Sequence, residues 1–243
     1  AGCGLRAAGA GRGPRPAGAR GPPFASLGEL RGALLGLRGD PLDGPGGGGR
    51  VVPPRGPPSA RLLLLGEAPG EAEDREGAPF VGPSGALLER ILASVGLGWD
   101  DAYVTNLVKR RPPQNRDPTP EEVAFFAPWA FEEVRLVQPD VVVGVGRHAA
   151  HALLCAPGAP GEGSGAGTRK QPPPLGQLRG RWHRPELGGE PRWATAVYHP
   201  AYLLRNPQRE PESPKAKMWD DIRMIRAKLD ELESARTGGE GAP

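Results

Sequence analysis

The chain has 243 residues, of which 37% are hydrophobic and 5% aromatic, with a formal net charge of +3 and a pI of about 9.1. This length suits one large domain with tails, and the weakly basic charge allows nucleic-acid binding without demonstrating it. Because the sequence has no apolar run approaching about 18 residues, we expect no membrane span. Its two cysteines, Cys3 and Cys155, cannot form a disulfide framework, which favours a reducing, intracellular location.

The first part of the chain is rich in arginine, glycine and proline. Residues 1–28 contain four arginines and no acidic residue, a composition that cannot form a packed core. Organelle transit peptides have this composition, and GC-rich DNA also produces it, so we expect the bacterial cytoplasm or, in a eukaryote, an organelle or the nucleus. Apolar spacing over residues 24–37 predicts one short helix before a linker at 39–58. We therefore expect a low-complexity extension over residues 1–58.

The remainder of the chain alternates between predicted strands and helices. Aliphatic runs predict strands at residues 61–65, 102–105, 141–145 and 193–198. Ser84, Thr119 and Ser213 are predicted helix caps, and the last helix is expected to bury Trp219, Ile222, Ile225, Leu229 and Leu232. This alternation predicts an α/β fold, a three-layer α/β/α arrangement around a central, mainly parallel four-stranded sheet. The folded domain should cover 59–233, with a disordered insertion at 156–174 and a disordered tail at 234–243.

The loop of residues 66–85 joins the first strand to its helix and is rich in glycine and carboxylates. Such a loop packs poorly, because its polar groups need partners, and loops that follow strands of α/β sheets commonly bind ligands. Glu67 follows the first strand, Asn106 ends the second and His199 follows the fourth. Since the carboxyl ends of parallel strands share one edge, these side chains are expected to meet in one cavity.

The residue types at this edge indicate the chemistry. An aromatic ring, Phe80, beside the amide of Asn106 suits a planar heterocycle that stacks on the ring while the amide reads its hydrogen-bonding edge. The imidazole of His199 can donate to an oxygen that gains negative charge, and a carboxylate can orient water. The sequence contains no phosphate-binding GK[ST] ending, no nucleophilic triad motif and no paired-cysteine or HExxH metal motif.

Three blocks, at residues 66–85, 103–116 and 198–205, closely resemble the family 4 uracil-DNA glycosylases of the uracil-DNA glycosylase superfamily, and the likeness extends over about residues 61–229. The resemblance implies that Phe80 stacks on a flipped-out uracil and that Asn106 bonds its O4/N3 edge. It implies that His199 stabilises negative charge on the uracil O2 as the glycosidic bond opens.

The resemblance also implies that Glu67, with Gly66 and Ala68, forms the floor of the cavity and helps to place the water. Other families of the superfamily carry an aspartate where this chain has Ala68. The carboxylate that orients the water is therefore open among Glu67, Glu71 and Asp74.

Residues that would contact DNA come from all three blocks. They are Pro83 and Ser84 at a helix N-terminus, Arg110, Arg111 and Arg116 in the basic loop, and Tyr202, Leu203, Leu204 and Arg205 in the third block. Either Leu203 or Leu204 would fill the gap left by the base. The arginines would contact phosphates or form a solvated surface, whereas His148 and His151 are expected to be ordinary helix residues.

The chain departs from the family at the iron–sulfur cluster. Family 4 enzymes usually hold a 4Fe–4S cluster on four cysteines, but this chain has Arg110 and Phe126 at two of those positions and no cysteine near residues 39–42. Four thiolates are needed. We therefore predict no cluster and no metal site, with Phe126 adding apolar packing and Arg110 pointing outward or toward DNA.

The resemblance implies a monofunctional DNA-repair glycosylase that hydrolyses the N-glycosidic bond of uracil and leaves an abasic site. Its partner would be uracil-containing DNA, and we expect a monomer. The alternative is a catalytically weak protein that binds uracil-containing or abasic DNA. A third reading is an enzyme acting on free nucleosides or nucleotides, which would leave the basic loop and the Leu203–Arg205 wedge without a purpose.

Overall fold

The computed structural model of the chain describes residues 24–44, 48–155, 172–208 and 210–239. The predictions for residues 1–23, for most of the 156–174 insertion and for residues 240–243 lie outside these ranges. The longer elements, in chain order, are α1 Leu27–Leu35, β1 Leu62–Gly66, α2 Glu71–Glu76, α3 Pro83–Ala93, β2 Ala102–Asn106, α4 Pro120–Val137, β3 Val141–Val145 and α5 Arg147–Leu154. They continue with α6 Leu175–Leu178, β4 Glu186–Leu187, β5 Glu190–Pro191, β6 Trp193–Val197, α7 Pro200–Arg205 and α8 Pro214–Gly239.

The central sheet has four parallel strands in the order β2-β1-β3-β6. Strand side chains alternate between its two faces. Leu62 and Leu64 pack with residues of α3 and α8, whereas Leu63 and Leu65 pack with residues of α4 and α5. Helices thus cover both faces, which confirms the three-layer α/β/α fold. A short antiparallel pair, β4 and β5, lies outside this sheet.

The segment before β1 packs against the domain. Helix α1 buries Leu30 and Leu34, which join Leu42, Val108 and Phe126 in an apolar cluster. The helix predicted within 24–37 is therefore present, but the described residues between 24 and 58 do not form a separate extension. Helix α1 packs against α4, which lies about a hundred residues further along the chain. Local composition could not have predicted this contact.

Two helices differ from their predicted form. Helix α3 begins at Pro83, because the fixed φ of proline suits the first helical position. Gly82 is therefore its cap, and Ser84 lies inside the first turn. In α8, Met218 is buried and Trp219 is 41% exposed, whereas Ile222, Ile225 and Leu229 are buried as predicted. This helix continues to Gly239, beyond the tail predicted from residue 234, and Arg236 pairs with Asp140.

The Thr119 cap of α4 is confirmed, with its hydroxyl accepting from the Glu122 N–H and the Glu122 carboxylate accepting from the Thr119 N–H. In the part of the chain that the structure describes, no helix has the length and apolarity to cross a membrane.

Candidate active site

A cavity of about 370 Å³ opens at the carboxyl ends of the strands. Its lining includes Glu67, Phe80, Asn106 and His199, the four residues expected to converge there. Gly66 and Asn106 are paired neighbours at the ends of β1 and β2, while His199 follows β6 on the far side of β3. The topology of the sheet therefore assembles the site.

Gly66 allows the amide of Asn106 and the ring of Phe80 to approach each other. A Cβ atom at Gly66 would lie 2.2 Å from the Asn106 Oδ1 and 2.8 Å from the Phe80 ring, so a larger residue would displace one of them. The ends of the two strands are also joined, because the Leu107 N–H donates to the Gly66 carbonyl at 2.8 Å. Asn106, at 4% exposure, is thus held at the wall of the cavity.

Phe80 is held in an unfavourable backbone conformation. Its φ angle is +54°, in the left-handed region that bulky residues rarely occupy. The Arg55 guanidinium donates to its carbonyl at 3.1 Å, and a Cβ at Gly85 would lie only 1.9 Å from that oxygen. The ring lies 6.2 Å from the His199 ring, centroid to centroid, with 28° between the planes. The backbone therefore fixes one flat face beside the imidazole.

Glu67 lies at the N-terminus of α5. Its Oε1 accepts from the His148 backbone N–H at 2.7 Å, a favourable position for an anion. Gly146, with φ +101°, makes room for it, since a Cβ there would lie 2.5 Å from that oxygen. Burial opposes ionisation, but the hydrogen bonds from His148 and the nearby His199 outweigh it and lower the pKa of Glu67. Glu67 is therefore a carboxylate at neutral pH.

His199 is the cap of α7 and its tautomer follows from this role. Its Nδ1 accepts from the Ala201 N–H at 3.1 Å, so the ring proton is on Nε2. Burial lowers the pKa of His199, and Arg205 adds to the shift, while Glu67 and Glu73 oppose it. The site thus presents a neutral imidazole with one N–H available to donate.

The three candidate water-orienting carboxylates are separated by the structure. Glu67 lines the cavity, whereas Glu71 and Asp74 do not. The Arg111 guanidinium lies 3.3 Å from the Glu71 carboxylate, and the Asp74 Oδ1 accepts from the Arg50 N–H at 2.8 Å. Both groups face away from the cavity because α2 turns them outward.

Glu73, which the sequence did not single out, lines the cavity. Its carboxylate accepts from the backbone N–H groups of Val81 and Gly82, at 3.0 and 2.9 Å, and from that of Gly70 at 3.1 Å. It thereby holds the loop that carries Phe80. The three-residue spacing from Gly70 resembles a capping box and could have indicated the bond from the Gly70 N–H.

Arg110 points neither outward nor toward DNA, which corrects the prediction. Its guanidinium is buried and donates to the Asp40 carboxylate at 2.8 Å, to the Leu37 carbonyl at 2.9 Å and to the Gly49 carbonyl at 3.0 Å. Asp40 is also buried, so the two charges are found together. Arg110 therefore ties the N-terminal segment to the basic loop.

The other predicted DNA-contacting arginines are paired or lie at the edge of the cavity. Arg116 lines the cavity but bonds Glu122 at 2.9 Å, and Arg111 bonds Asn115 at 2.7 Å. Arg205 is exposed and lines the cavity.

The third block separates its two leucines. Leu203 is 1% exposed and belongs to the core, whereas Leu204 is 45% exposed and Tyr202 40%. Pro83 is exposed and Ser84 lines the cavity, both in the first turn of α3. Leu204 is thus the leucine that is free to contact a ligand.

The residues present do not fit an iron–sulfur cluster. Four thiolates are required, and the whole chain has two cysteines. Phe126 fills its position with apolar packing, as predicted, and Arg110 occupies the second with an ion pair. Among the described residues, no three His, Cys, Asp or Glu side chains are grouped to hold a metal ion.

Fold and cavity together define an α/β protein with an aromatic ring, a side-chain amide, an imidazole and a carboxylate in one cavity at the carboxyl edge of a parallel sheet. The family model of the Uracil DNA glycosylase superfamily matches residues 53–223, and the chain belongs to this superfamily.

Several curated proteins are similar to it. A type-4 uracil-DNA glycosylase of Archaeoglobus fulgidus is 37% identical over 161 residues, 66% of this chain and 75% of that protein. A type-4 uracil-DNA glycosylase of Thermotoga maritima is 37% identical over 153 residues, 62% of this chain and 69% of that protein. A type-5 uracil-DNA glycosylase of Thermus thermophilus is 37% identical over 186 residues, 70% of this chain and 76% of that protein.

Proposed function

We propose that this protein is a monofunctional uracil-DNA glycosylase of DNA repair, which accepts a flipped-out uracil and hydrolyses its N-glycosidic bond to leave an abasic site. The observation that carries the proposal is the meeting of Glu67, Phe80, Asn106 and His199 in one cavity. Membership of the superfamily and the names of the curated relatives support the same activity.

Recognition of the base is assigned to Phe80 and Asn106. The ring of Phe80, fixed by its backbone, stacks on the uracil. The amide of Asn106 can accept from N3–H and donate to O4, whereas cytosine offers an acceptor and an amino group at these positions. The amide orientation that suits uracil therefore opposes cytosine.

Bond cleavage is assigned to His199 and Glu67. As the glycosidic bond opens, the Nε2–H of neutral His199 donates to the uracil O2 and stabilises the departing anion. The ionised Glu67 orients the attacking water and stabilises positive charge on the sugar. Its lowered pKa suits a group that works through charge and water placement rather than as a strong base.

DNA contacts are assigned to surfaces around the cavity. Leu204 fills the space left by the base, and Arg205 and Tyr202 lie beside it on α7. The first turn of α3 offers backbone N–H groups to a phosphate near Ser84. Arg111 and Arg116 would contact phosphates by exchanging their present partners for them.

We also propose that the enzyme works without an iron–sulfur cluster. The two cysteines and the buried Arg110–Asp40 pair support this. Metal and acid-labile sulfide analysis of purified protein should give far fewer than the roughly four irons per chain that one cluster would supply.

We also propose that the enzyme is a monomer, which sedimentation analysis would test. An intracellular location is proposed from the low cysteine content.

The test of the proposed function is excision of uracil from a labelled DNA strand by the wild type, Asn106→Ala and His199→Ala. We expect alkali-labile breaks at uracil with the wild type and a loss of roughly 10²- to 10³-fold in each variant. A folded wild type that binds uracil-containing DNA without excising the uracil would indicate a binding protein instead. Indifference to competing uracil-free DNA would indicate an enzyme of free nucleosides.

A further inference from the structure

His148 lies in the first turn of α5, and its ring is directed toward Glu67 rather than into the core. Its Nδ1 is 3.4 Å from the Glu67 Oε1, the same oxygen that accepts from the His148 backbone N–H at 2.7 Å. On the other side of the ring, Nε2 lies 3.4 Å from the Arg147 Nη2 and 4.0 Å from the Asp117 carboxylate. His148 therefore links the cavity to a charged pair at the surface.

The chemistry of Arg147 fixes the tautomer of His148. A guanidinium can only donate, so the His148 Nε2 that faces it must accept. The ring proton is then on Nδ1, which is buried without a formed hydrogen bond and lies 3.4 Å from the Glu67 Oε1. Arg147 is held in place because it also donates to the Asp117 carboxylate at 2.8 Å. The order of groups is Asp117, Arg147, His148 and Glu67. The first two pairs are donor–acceptor contacts, and in the last pair the His148 Nδ1 lies 3.4 Å from the carboxylate without a formed hydrogen bond.

We propose that His148 is a positioning residue for Glu67, whose Nδ1–H turns and holds the carboxylate so that it can orient the attacking water. This inference rests on the proposed glycosylase function. The backbone N–H of His148 already holds Oε1, so the ring adds a second donor that restricts rotation of the carboxylate. At 3.4 Å this contact is long, and bonds of this kind tighten when substrate and water arrive.

The experiment compares His148→Ala, which removes the ring, with His148→Asn, which places an amide donor at the level of Nδ1. His151→Ala is the matched control, because His151 is on the same helix and its Nε2 contacts the Pro173 carbonyl instead of the cavity. Three quantities are measured in the full chain: the single-turnover rate of uracil excision, the dissociation constant for uracil-containing DNA, and the titration of the Glu67 carboxyl by ¹³C NMR.

We expect His148→Ala to lower the single-turnover rate by at least about tenfold, since a misplaced catalytic group is costly, while DNA binding changes by less than about twofold. The groups that face the Glu67 carboxyl are His148 and His199, so loss of the His148 ring should make Glu67 titrate at higher pH. The acid limb of the pH–rate profile should move in the same direction. His148→Asn should restore rate and titration toward the wild type, and His151→Ala should leave both unchanged.

The proposal is overturned if His148→Ala keeps the wild-type rate and Glu67 titration, or if His148→Asn is as slow as His148→Ala. A purely structural role would lower stability and rate in both variants without the shift in titration. If the wild type itself fails to excise uracil, the proposed function fails, and the NMR titration still decides whether His148 holds Glu67.

Discussion

The uracil cavity and the region around Arg110 lie on neighbouring parts of the same loops, yet they relate differently to the family 4 pattern. The cavity contains the four residues that the resemblance assigns to it, and its geometry depends on close approaches to Gly66, Gly85 and Gly146. The Arg110 region lacks the pattern's cysteines and is held instead by a buried ion pair and an apolar cluster around Phe126. The proposed reaction requires particular side chains in the cavity. The Arg110 region requires only contacts that stabilise the fold, and different side chains can supply these.

The largest effect is expected when the buried ion pair between Arg110 and Asp40 is broken. Arg110→Met leaves the carboxylate of Asp40 buried without its partner, which should lower the free energy of unfolding by about 3–5 kcal/mol. Excision per folded molecule should stay near the wild-type value, since Arg110 does not line the cavity. Denaturant unfolding and an active-site titration measure the two quantities.

Arg111→Met is the control for this experiment, because the side chain of the neighbouring Arg111 bonds exposed groups, Asn115 at 2.7 Å and the Glu71 carboxylate at 3.3 Å. Its effect on stability should be about 1 kcal/mol or less. An equal free energy of unfolding for Arg110→Met and the wild type would show that the ion pair does not stabilise the fold.

A second experiment perturbs the cavity alone. In Gly146→Ala the new methyl group would meet the Glu67 carboxylate, and the expected loss of excision rate is about a hundredfold. Gly96→Ala separates this contact from backbone strain, because Gly96 also has a positive φ, +70°, but nothing within 4 Å of the added atom. Similar excision rates for the two variants would mean that the space beside Glu67 does not require glycine at position 146.

A smaller loss of excision rate is expected from substitution of Glu73, whose carboxylate bonds the backbone of the loop that carries Phe80. Glu73→Gln keeps the shape but removes the charge that strengthens three backbone hydrogen bonds. We expect excision to slow by about tenfold as Phe80 loses its fixed position. Amide hydrogen exchange at Val81 and Gly82 should become faster, and unchanged exchange would contradict this role.

The same contrast explains what could be predicted from sequence. Strands and helices of the sheet follow from local aliphatic patterns, and the topology of a parallel sheet then brings Glu67, Asn106 and His199 together. The position of Arg110 could not be predicted, since its partner Asp40 is 70 residues away and nothing local marks the pair. Glu73 was missed for a related reason, because its partners are eight and nine residues further along a loop without periodicity.

The smallest effect is expected from the pH dependence of the excision rate, which tests the surroundings of His199. Burial makes the folded protein bind a proton at His199 less readily than the unfolded chain, whose histidine has its ordinary pKa of 6.5, and Arg205 adds to this while Glu67 and Glu73 oppose it. The neutral form should therefore persist below pH 6.5, so the single-turnover rate should be level through that value and decline only at lower pH.

The free energy of unfolding should change in the same direction. His199 should not lower it above the unfolded pKa, and should lower it increasingly as the pH falls below that value. Protonation would also break the Ala201 N–H bond to Nδ1. His199→Gln, which cannot titrate, should lack any part of the decline due to His199, while an acid limb centred above pH 6.5 in the wild type would show that His199 is not desolvated in the working enzyme.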